Sequence, residues 1–195
     1  MIKRKSFSDF YYENGYDLPF CSDKGTTHNY IDGYYDREFS FLSQEKLNIL
    51  EIGTLTGGSI HLLSKFFTNS IVYGIDIEDM ITDKFKSIKY ESNVKLLFGN
   101  AYNESMLNIF PSDYFDYIID DGPHSFESQC YSIKNWLKSI KSGGKLIIED
   151  IQSQDEALEL VNLAKSNYMC KRATIIDLRL NKSRYDDFIL EITKK

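Results

Sequence analysis

The chain predicts an α/β fold: a doubly wound, mostly parallel seven-stranded sheet with an antiparallel C-terminal strand pair and an N-terminal helical cap. Three observations point there. Beyond the first forty residues, short apolar runs alternate with helix-length stretches, the order expected of βαβ units. The apolar run Asn48-Ile49-Leu50-Glu51-Ile52 breaks into Gly53-Thr54-Leu55-Thr56-Gly57-Gly58, a strand turning through glycine into a helix. Near the C-terminus two apolar runs are joined by a short polar connection through Asn181 and Ser183, which suits antiparallel pairing.

Taken in order, the patterns place strands at 47–52, 71–77, 94–98, 115–120 and 145–150, then a closing pair at 172–178 and 187–193. The first helix runs from Gly58 to Phe67. A second, Ser125 to Ile140, carries Phe126, Ile133, Trp136, Leu137 and Ile140 at helical spacing, with Lys141-Ser142-Gly143-Gly144 as its stop. Gln154 to Ser166 is the helix after strand five. The head is different, crowded with Phe10, Tyr11, Tyr12, Tyr16, Phe20, Tyr30, Tyr34, Tyr35, Phe39 and Phe41 among polar residues. It reads as a helical cap over the sheet edge, its rings serving packing. A lid whose aromatic faces touch a ligand is the alternative.

A length of 195 residues suits one domain, residues 1–195, with the cap over 1–41 and the Rossmann-like core over 42–195. Apolar content of 42% and charged content of 27% are globular values, and no apolar run reaches the length of a membrane span. The basic start, Met1-Ile2-Lys3-Arg4-Lys5-Ser6-Phe7, lacks the apolar stretch and cleavage site of a secretory signal, so a cytoplasmic, membrane-free protein is expected. Cys21, Cys130 and Cys170 are odd in number and far apart, which suggests reduced thiols rather than disulfides or a zinc cluster. A net charge of −6 disfavours a nucleic-acid partner, which needs a basic face. A small-molecule acceptor is the expected partner, and a homo-oligomer is compatible with the sequence.

The glycine turn defines a cofactor doorway. Gly53 and Gly57 allow the backbone to approach a bulky ligand, and the following helix offers free N–H groups and a positive dipole end. The spacing departs from the dinucleotide pattern, and Glu51 stands two residues before the first glycine. A carboxylate there suits an amine or hydroxyl better than a pyrophosphate, which favours S-adenosylmethionine over NAD. Strand two ends in Asp76, 23 positions beyond Gly53, close to the separation of about 20 residues expected of a ribose-binding acid.

Strands four and five also end in acids. One closes Asp120-Asp121-Gly122-Pro123-His124 and the other Glu149-Asp150. With strands about 4.8 Å apart, Asp120 or Asp121 comes close to Glu149 or Asp150, and such a cluster repels itself unless a cation intervenes. Oxygen donors favour Mg²⁺ or Ca²⁺ over zinc. His124 is then a natural general base. In Asp23-Lys24-Gly25-Thr26-Thr27-His28-Asn29-Tyr30, Lys24 is either a solvated lysine or the partner of a cofactor carboxylate.

Together these residues resemble class I S-adenosylmethionine-dependent methyltransferases, specifically the metal-dependent sugar O-methyltransferases of the macrocin and mycinamicin type. The resemblance rests on Asp23-Lys24-Gly25-Thr26 with His28 and Tyr30, Glu51-Ile52-Gly53 with Gly57-Gly58-Ser59, Gly74-Ile75-Asp76, the Asp120 to His124 run, and Gly143-Gly144 with Glu149-Asp150. It implies that Lys24, Glu51, Gly53, Gly57, Asp76, Asn100, Ala101 and Asp120 border S-adenosylmethionine, with Asp120 more a support. It further implies Asp121, Glu149 and Asp150 as Mg²⁺ ligands and His124 as the base that deprotonates a sugar hydroxyl. Two positions depart from the pattern. Pro123 stands where Ser is frequent, and Asn100 where an acid is common. N-methylation, a non-catalytic cofactor-binding sensor and an NAD-dependent oxidoreductase are the competing readings. Asp120-Asp121-Gly122-Pro123 lacks the Asn/Asp-Pro-Pro-Tyr signature of the first.

Overall fold

A computed structural model describes residues 5–195; residues 1–4, part of the basic start and of the expected cap, lie outside the described residues. The strands are β1 (Asn48–Ile52), β2 (Ile71–Asp76), β3 (Val94–Phe98), β4 (Phe115–Asp120), β5 (Ile140–Ile148), β6 (Cys170–Asp177) and β7 (Phe188–Lys194). They form one seven-stranded sheet in the order β3-β2-β1-β4-β5-β7-β6. The first five strands pair in parallel, while β7 runs antiparallel to both β5 and β6. The chain therefore winds outward from β1 in one direction and then from β4 in the other, which opens a crevice above the β1 and β4 ends.

The helices are α1 (Phe7–Glu13), α2 (Asp36–Phe39), α3 (Gly58–Phe66), α4 (Glu104–Leu107), α5 (Phe126–Asn135), α6 (Gln154–Ser166) and α7 (Arg179–Lys182). Side-chain caps set several starts: Ser6 accepts from Asp9 N, Ser125 from Ser128 N and Ser153 from Glu156 N. At α6 the acids Asp155 and Glu156 also face the positive end of the helix dipole. Ser153→Ala is expected to lower the unfolding free energy by about 1 kcal/mol, read as an earlier urea midpoint with unchanged slope. An unshifted midpoint would show that packing alone places the helix.

The sheet pleat sorts side chains into two cores. Leu50, Ile52, Ile118, Leu146, Ile148, Leu190 and Ile192 face α5 and α6 through Ile133, Trp136, Ala157, Leu160 and Ala164. Ile49, Val72, Ile119, Ile147 and Ile189 face the other way, toward α3 and the head residues Phe7, Tyr11, Tyr34, Tyr35 and Phe39. The head is thus a layer on one face of the sheet, not a cap over its edge. The reason lies in the matching of polar groups on that face. Tyr34 donates to Glu191 at 2.9 Å, Tyr117 to Glu38 at 2.9 Å, and Lys145 bridges Glu38 and Glu191 at 2.7 and 2.9 Å. Most of the head aromatics are buried, whereas Tyr12, Phe20 and Phe41 are exposed.

The expected helix over 125–140 is shorter. It ends at Asn135, a 3₁₀ turn follows over Trp136–Ser139, and β5 begins at Ile140. Trp136, Leu137 and Ile140 keep their apolar spacing because all three enter the core beside the sheet. Lys141 to Gly144 do not stop a helix. They bulge within β5, where pairing jumps from Phe115↔Ile140 to Tyr117↔Lys145 and Gly143 takes φ +81°. The closing strands and α6 stand within two residues of the positions read from the sequence. Among the described residues no helix is long and apolar enough to cross a membrane, and the three cysteines are free.

Candidate active site

The glycine turn after β1 is as tight as its residues suggest. Gly53 has φ +88°, and a Cβ there would stand 2.0 Å from the Asp121 carbonyl oxygen, so this turn lies directly on the end of β4 and admits no side chain. Asp76 braces the same turn from β2. Its Oδ2 accepts from Thr54 N at 2.9 Å and Leu55 N at 2.7 Å. The start of α3 is shared, since Gly58 and Ser59 line the cleft while the Cys21 carbonyl presses so closely on Gly58 that no Cβ fits there.

A cleft of about 940 Å³ opens above these strand ends. Of the expected site residues, Gly53, Asp76, Asn100, Ala101, Asp121, His124 and Asp150 line it; Lys24, Glu51, Gly57, Asp120 and Glu149 do not. Phe20, exposed and at φ +63°, is the head aromatic that reaches the cleft. Among the described lining residues there are five aspartates, namely Asp17, Asp23, Asp76, Asp121 and Asp150, and no lysine or arginine.

Several of the residues that stay outside are taken up by partners within the fold. Glu51 and Glu149 point to the head side, where Lys24 lies only 4% exposed. Its ammonium contacts Asp121 Oδ2 at 2.6 Å and Glu51 Oε1 at 3.8 Å, and also bonds Glu149, which accepts a further bond from Tyr35. Lys24 is therefore neither a solvated lysine nor a group reaching into the cleft. Burial pulls its pKa down, but Asp121, Glu149 and Glu51 outweigh that and hold it well above the ordinary lysine value. Burial likewise raises the carboxyls of Asp121 and Glu149, with Lys24 opposing. Glu51 accepts from Ser59, keeps Oε2 without a partner, and is pushed up to about 7, burial being the largest cause and Lys24 working against it.

Asp120 departs from its expected place beside the cofactor. It lies on the opposite face from Asp121, where Tyr102 and Ser132 each donate to it at 2.6 Å and Gly122 N at 3.3 Å. Burial raises its pKa, and those bonds, Ser132 first, counter the rise. Its work is to anchor the loop that presents Asp121 and His124. Of the four strand-end acids, Asp120 stands apart, whereas Asp121 meets Glu149 through the shared Lys24 ammonium and Asp150 across the cleft.

Asp121, His124 and Asp150 do converge. One donor atom from each lies within 4.8 Å of the others, close enough to share a metal ion. His124 Nε2 is 3.5 Å from Asp150 Oδ2 and 4.0 Å from Asp121 Oδ1, while its Nδ1 is buried without a partner. His124 and Asp150 both occupy left-handed backbone, φ +57° and +54°. Glu149 is not of this set, because Lys24 and Tyr35 hold its carboxylate. The sequence pattern did not reveal Tyr30, Tyr35 and Tyr102 as partners of the acids, nor Asp187 as the partner of His28. Each pair joins residues far apart in the chain, which local periodicity cannot match.

The family model described as "Methyltransferase domain" matches residues 43–191. Demethylmacrocin O-methyltransferase of Streptomyces fradiae is 32% identical over 127 residues, covering 60% of this chain and 31% of that protein. Mycinamicin VI 2''-O-methyltransferase of Micromonospora griseorubida is 29% identical over 127 residues, covering 60% and 30%. The chain thus matches less than a third of the length of either relative. In fold it is similar to the MycE methyltransferase solved with Mg, SAH and mycinamycin VI, with a TM-score of 0.70 and 19% identity over 98% of this chain and 55% of that one. With residues 43–191, most of its length, under the family model, the chain belongs to the methyltransferase-domain family.

Proposed function

We propose that this chain is an S-adenosylmethionine-dependent O-methyltransferase that methylates a hydroxyl of a sugar, glycan precursor or related small molecule, assisted by Mg²⁺. The observation that carries this reading is a single cleft bordered by a glycine turn braced on Asp76 and by the Asp121, His124 and Asp150 set. The relatives' names point the same way, since two are O-methyltransferases, one of demethylmacrocin and one acting at the 2''-O position of mycinamicin VI.

The donor set fits the groups proposed. Five aspartates without a lining lysine or arginine suit a sulfonium cofactor and a divalent ion. Asp121 and Asp150 would hold Mg²⁺, and Glu149 joins them only if Lys24 releases one of its carboxylates. When bound, Mg²⁺ supplies Lewis-acid charge that makes a hydroxyl more acidic. S-adenosylmethionine, when bound, supplies an electrophilic methyl group. Gly53, Asn100 and Ala101 would border it, and Asp76 would meet its ribose. His124 takes the proton of the acceptor hydroxyl at Nε2, and the head layer screens the base of the cleft from water. Positioning supplies much of the rate. The same acidity disfavours RNA or DNA, whose phosphates would face carboxylates with no counter-charge.

Titrating S-adenosylhomocysteine by calorimetry tests the cofactor. Micromolar binding is expected, and none would sink the reading. Asp150→Asn, which tolerates the left-handed backbone, is expected to abolish methyl transfer to sugar hydroxyls while S-adenosylhomocysteine still binds. Undiminished wild-type turnover in excess chelator would remove the metal from the mechanism.

A further inference from the structure

His28 and Tyr30 lie in the motif that follows Lys24, and neither lines the cleft. Both are buried behind Asp150, and their rings stack with centroids 4.8 Å apart at 21°. Tyr30 donates its hydroxyl to Asp150 Oδ1 at 2.5 Å and accepts from Asp150 N at 3.2 Å, so one side chain grips both the carboxylate and the backbone of the same residue. His28 Nδ1 is 2.5 Å from Asp187 Oδ1 and 3.3 Å from Asp150 Oδ1. Its single Nδ1 proton goes to the shorter contact, which fixes the ring's orientation against Tyr30.

We propose that Tyr30, His28 and Asp187 form a positioning unit that sets the Asp150 carboxylate for metal binding. The two oxygens of Asp150 are divided by it. Oδ1 is turned inward to Tyr30 and His28, and Oδ2 is left facing His124 at 3.5 Å. That division matters because Asp150 sits at φ +54°, outside the strand, where no ladder bond orients it. A carboxylate awaiting a cation needs an outer partner to hold it in the binding orientation. Asp187 is fully buried just before β7, and its Oδ2 has no partner.

The cluster is not itself a second metal site. Donor atoms of His28, Asp186 and Asp187 lie within 4.8 Å of one another, yet Arg184 holds both oxygens of Asp186 at 3.0 and 2.7 Å. The 2.5 Å contact between His28 and Asp187 leaves no room for an ion between them. Three distant segments, the head, the end of β5 and the approach to β7, therefore meet in order to orient one ligand.

The inference rests on the metal-assisted reading above, and one experiment separates the two. The full chain saturated with S-adenosylhomocysteine is titrated with Mn²⁺ and free Mn²⁺ is read by electron paramagnetic resonance, for wild type, Asp150→Asn, Tyr30→Phe and Asp187→Asn. Tyr30→Phe removes only the hydroxyl, and Asp187→Asn keeps the shape of the carboxylate. Both are expected to weaken Mn²⁺ binding by roughly 10- to 100-fold, with S-adenosylhomocysteine affinity at the wild-type value and a lowered melting midpoint that still leaves the chain folded at the assay temperature. Unchanged Mn²⁺ affinity in Tyr30→Phe and Asp187→Asn, with Asp150→Asn unable to bind, overturns the positioning role alone. Cofactor affinity falling in step with Mn²⁺ affinity assigns the residues to packing and also overturns it. Wild-type protein that takes up no Mn²⁺ overturns both readings. Should Asp187→Asn fail to fold, Tyr30→Phe decides.

Discussion

Replacing Lys24 with methionine is expected to destabilise the protein by roughly 3–5 kcal/mol, the range for breaking a buried ion pair from one side. The substitution keeps the length of the side chain and removes the charge. Asp121, Glu149 and Glu51 then share a buried site with no ammonium within reach. Three carboxylates cannot all remain ionised there, so protons must enter or the head must lift away from the sheet. For a chain of this size the melting midpoint should fall by roughly 10 °C, measured by calorimetry at neutral pH. A midpoint unchanged from wild type would mean that the acids carry their own protons and that Lys24 contributes nothing net. The prediction also bears on where the head packs. Lys24 is the charged link between the head and the strand-end acids, beside the hydroxyls of Tyr30 and Tyr35, so its loss should expose the head to proteolysis before the rest of the chain.

His124→Asn is expected to lower methyl transfer by about 10²- to 10⁴-fold, the usual contribution of a general base, while S-adenosylhomocysteine affinity stays at the wild-type value. Asparagine is chosen because the position is left-handed, φ +57°, where alanine would add strain of its own. The ring of His124 donates no hydrogen bond that the fold depends on, and its buried Nδ1 lacks a partner. Stability should therefore hold or rise slightly. Turnover is read as S-adenosylhomocysteine released in the presence of a hydroxylated sugar acceptor. Full turnover by the variant would remove His124 from the proton transfer, and loss of cofactor binding would make it a binding residue instead.

Much of this site was legible from local pattern. Gly53 announces itself because an apolar strand breaks there at a glycine that opens a helix, and Asp76 because a strand-end acid at that distance from the turn is placed by chain geometry. Asp121 and His124 follow from an acid pair, a Gly-Pro turn and an imidazole in one short run. The fate of Lys24, Glu51 and Glu149 was not legible. Each is a charged residue near an expected crevice, and whether it faces a ligand or another side chain depends on which layer packs against its side of the sheet. The same holds for Asp120 and Asp121, neighbours in sequence that the pleat sends to opposite faces.

By itself, the sequence determined the order of the strands along the chain, the parallel core with its antiparallel closure, and the glycine turn. Those properties are local, set by side-chain period, backbone freedom and residue chemistry. Tertiary structure alone decided that the aromatic head lies on a face of the sheet, that β5 starts early through a bulge, and that Lys24 neutralises strand-end acids while Tyr30, His28 and Asp187 stand behind Asp150. Those outcomes depend on contacts between residues far apart in the chain, 125 positions in the case of Lys24 and Glu149. No local period encodes such a distance; only the packing of two complementary layers brings the charges together.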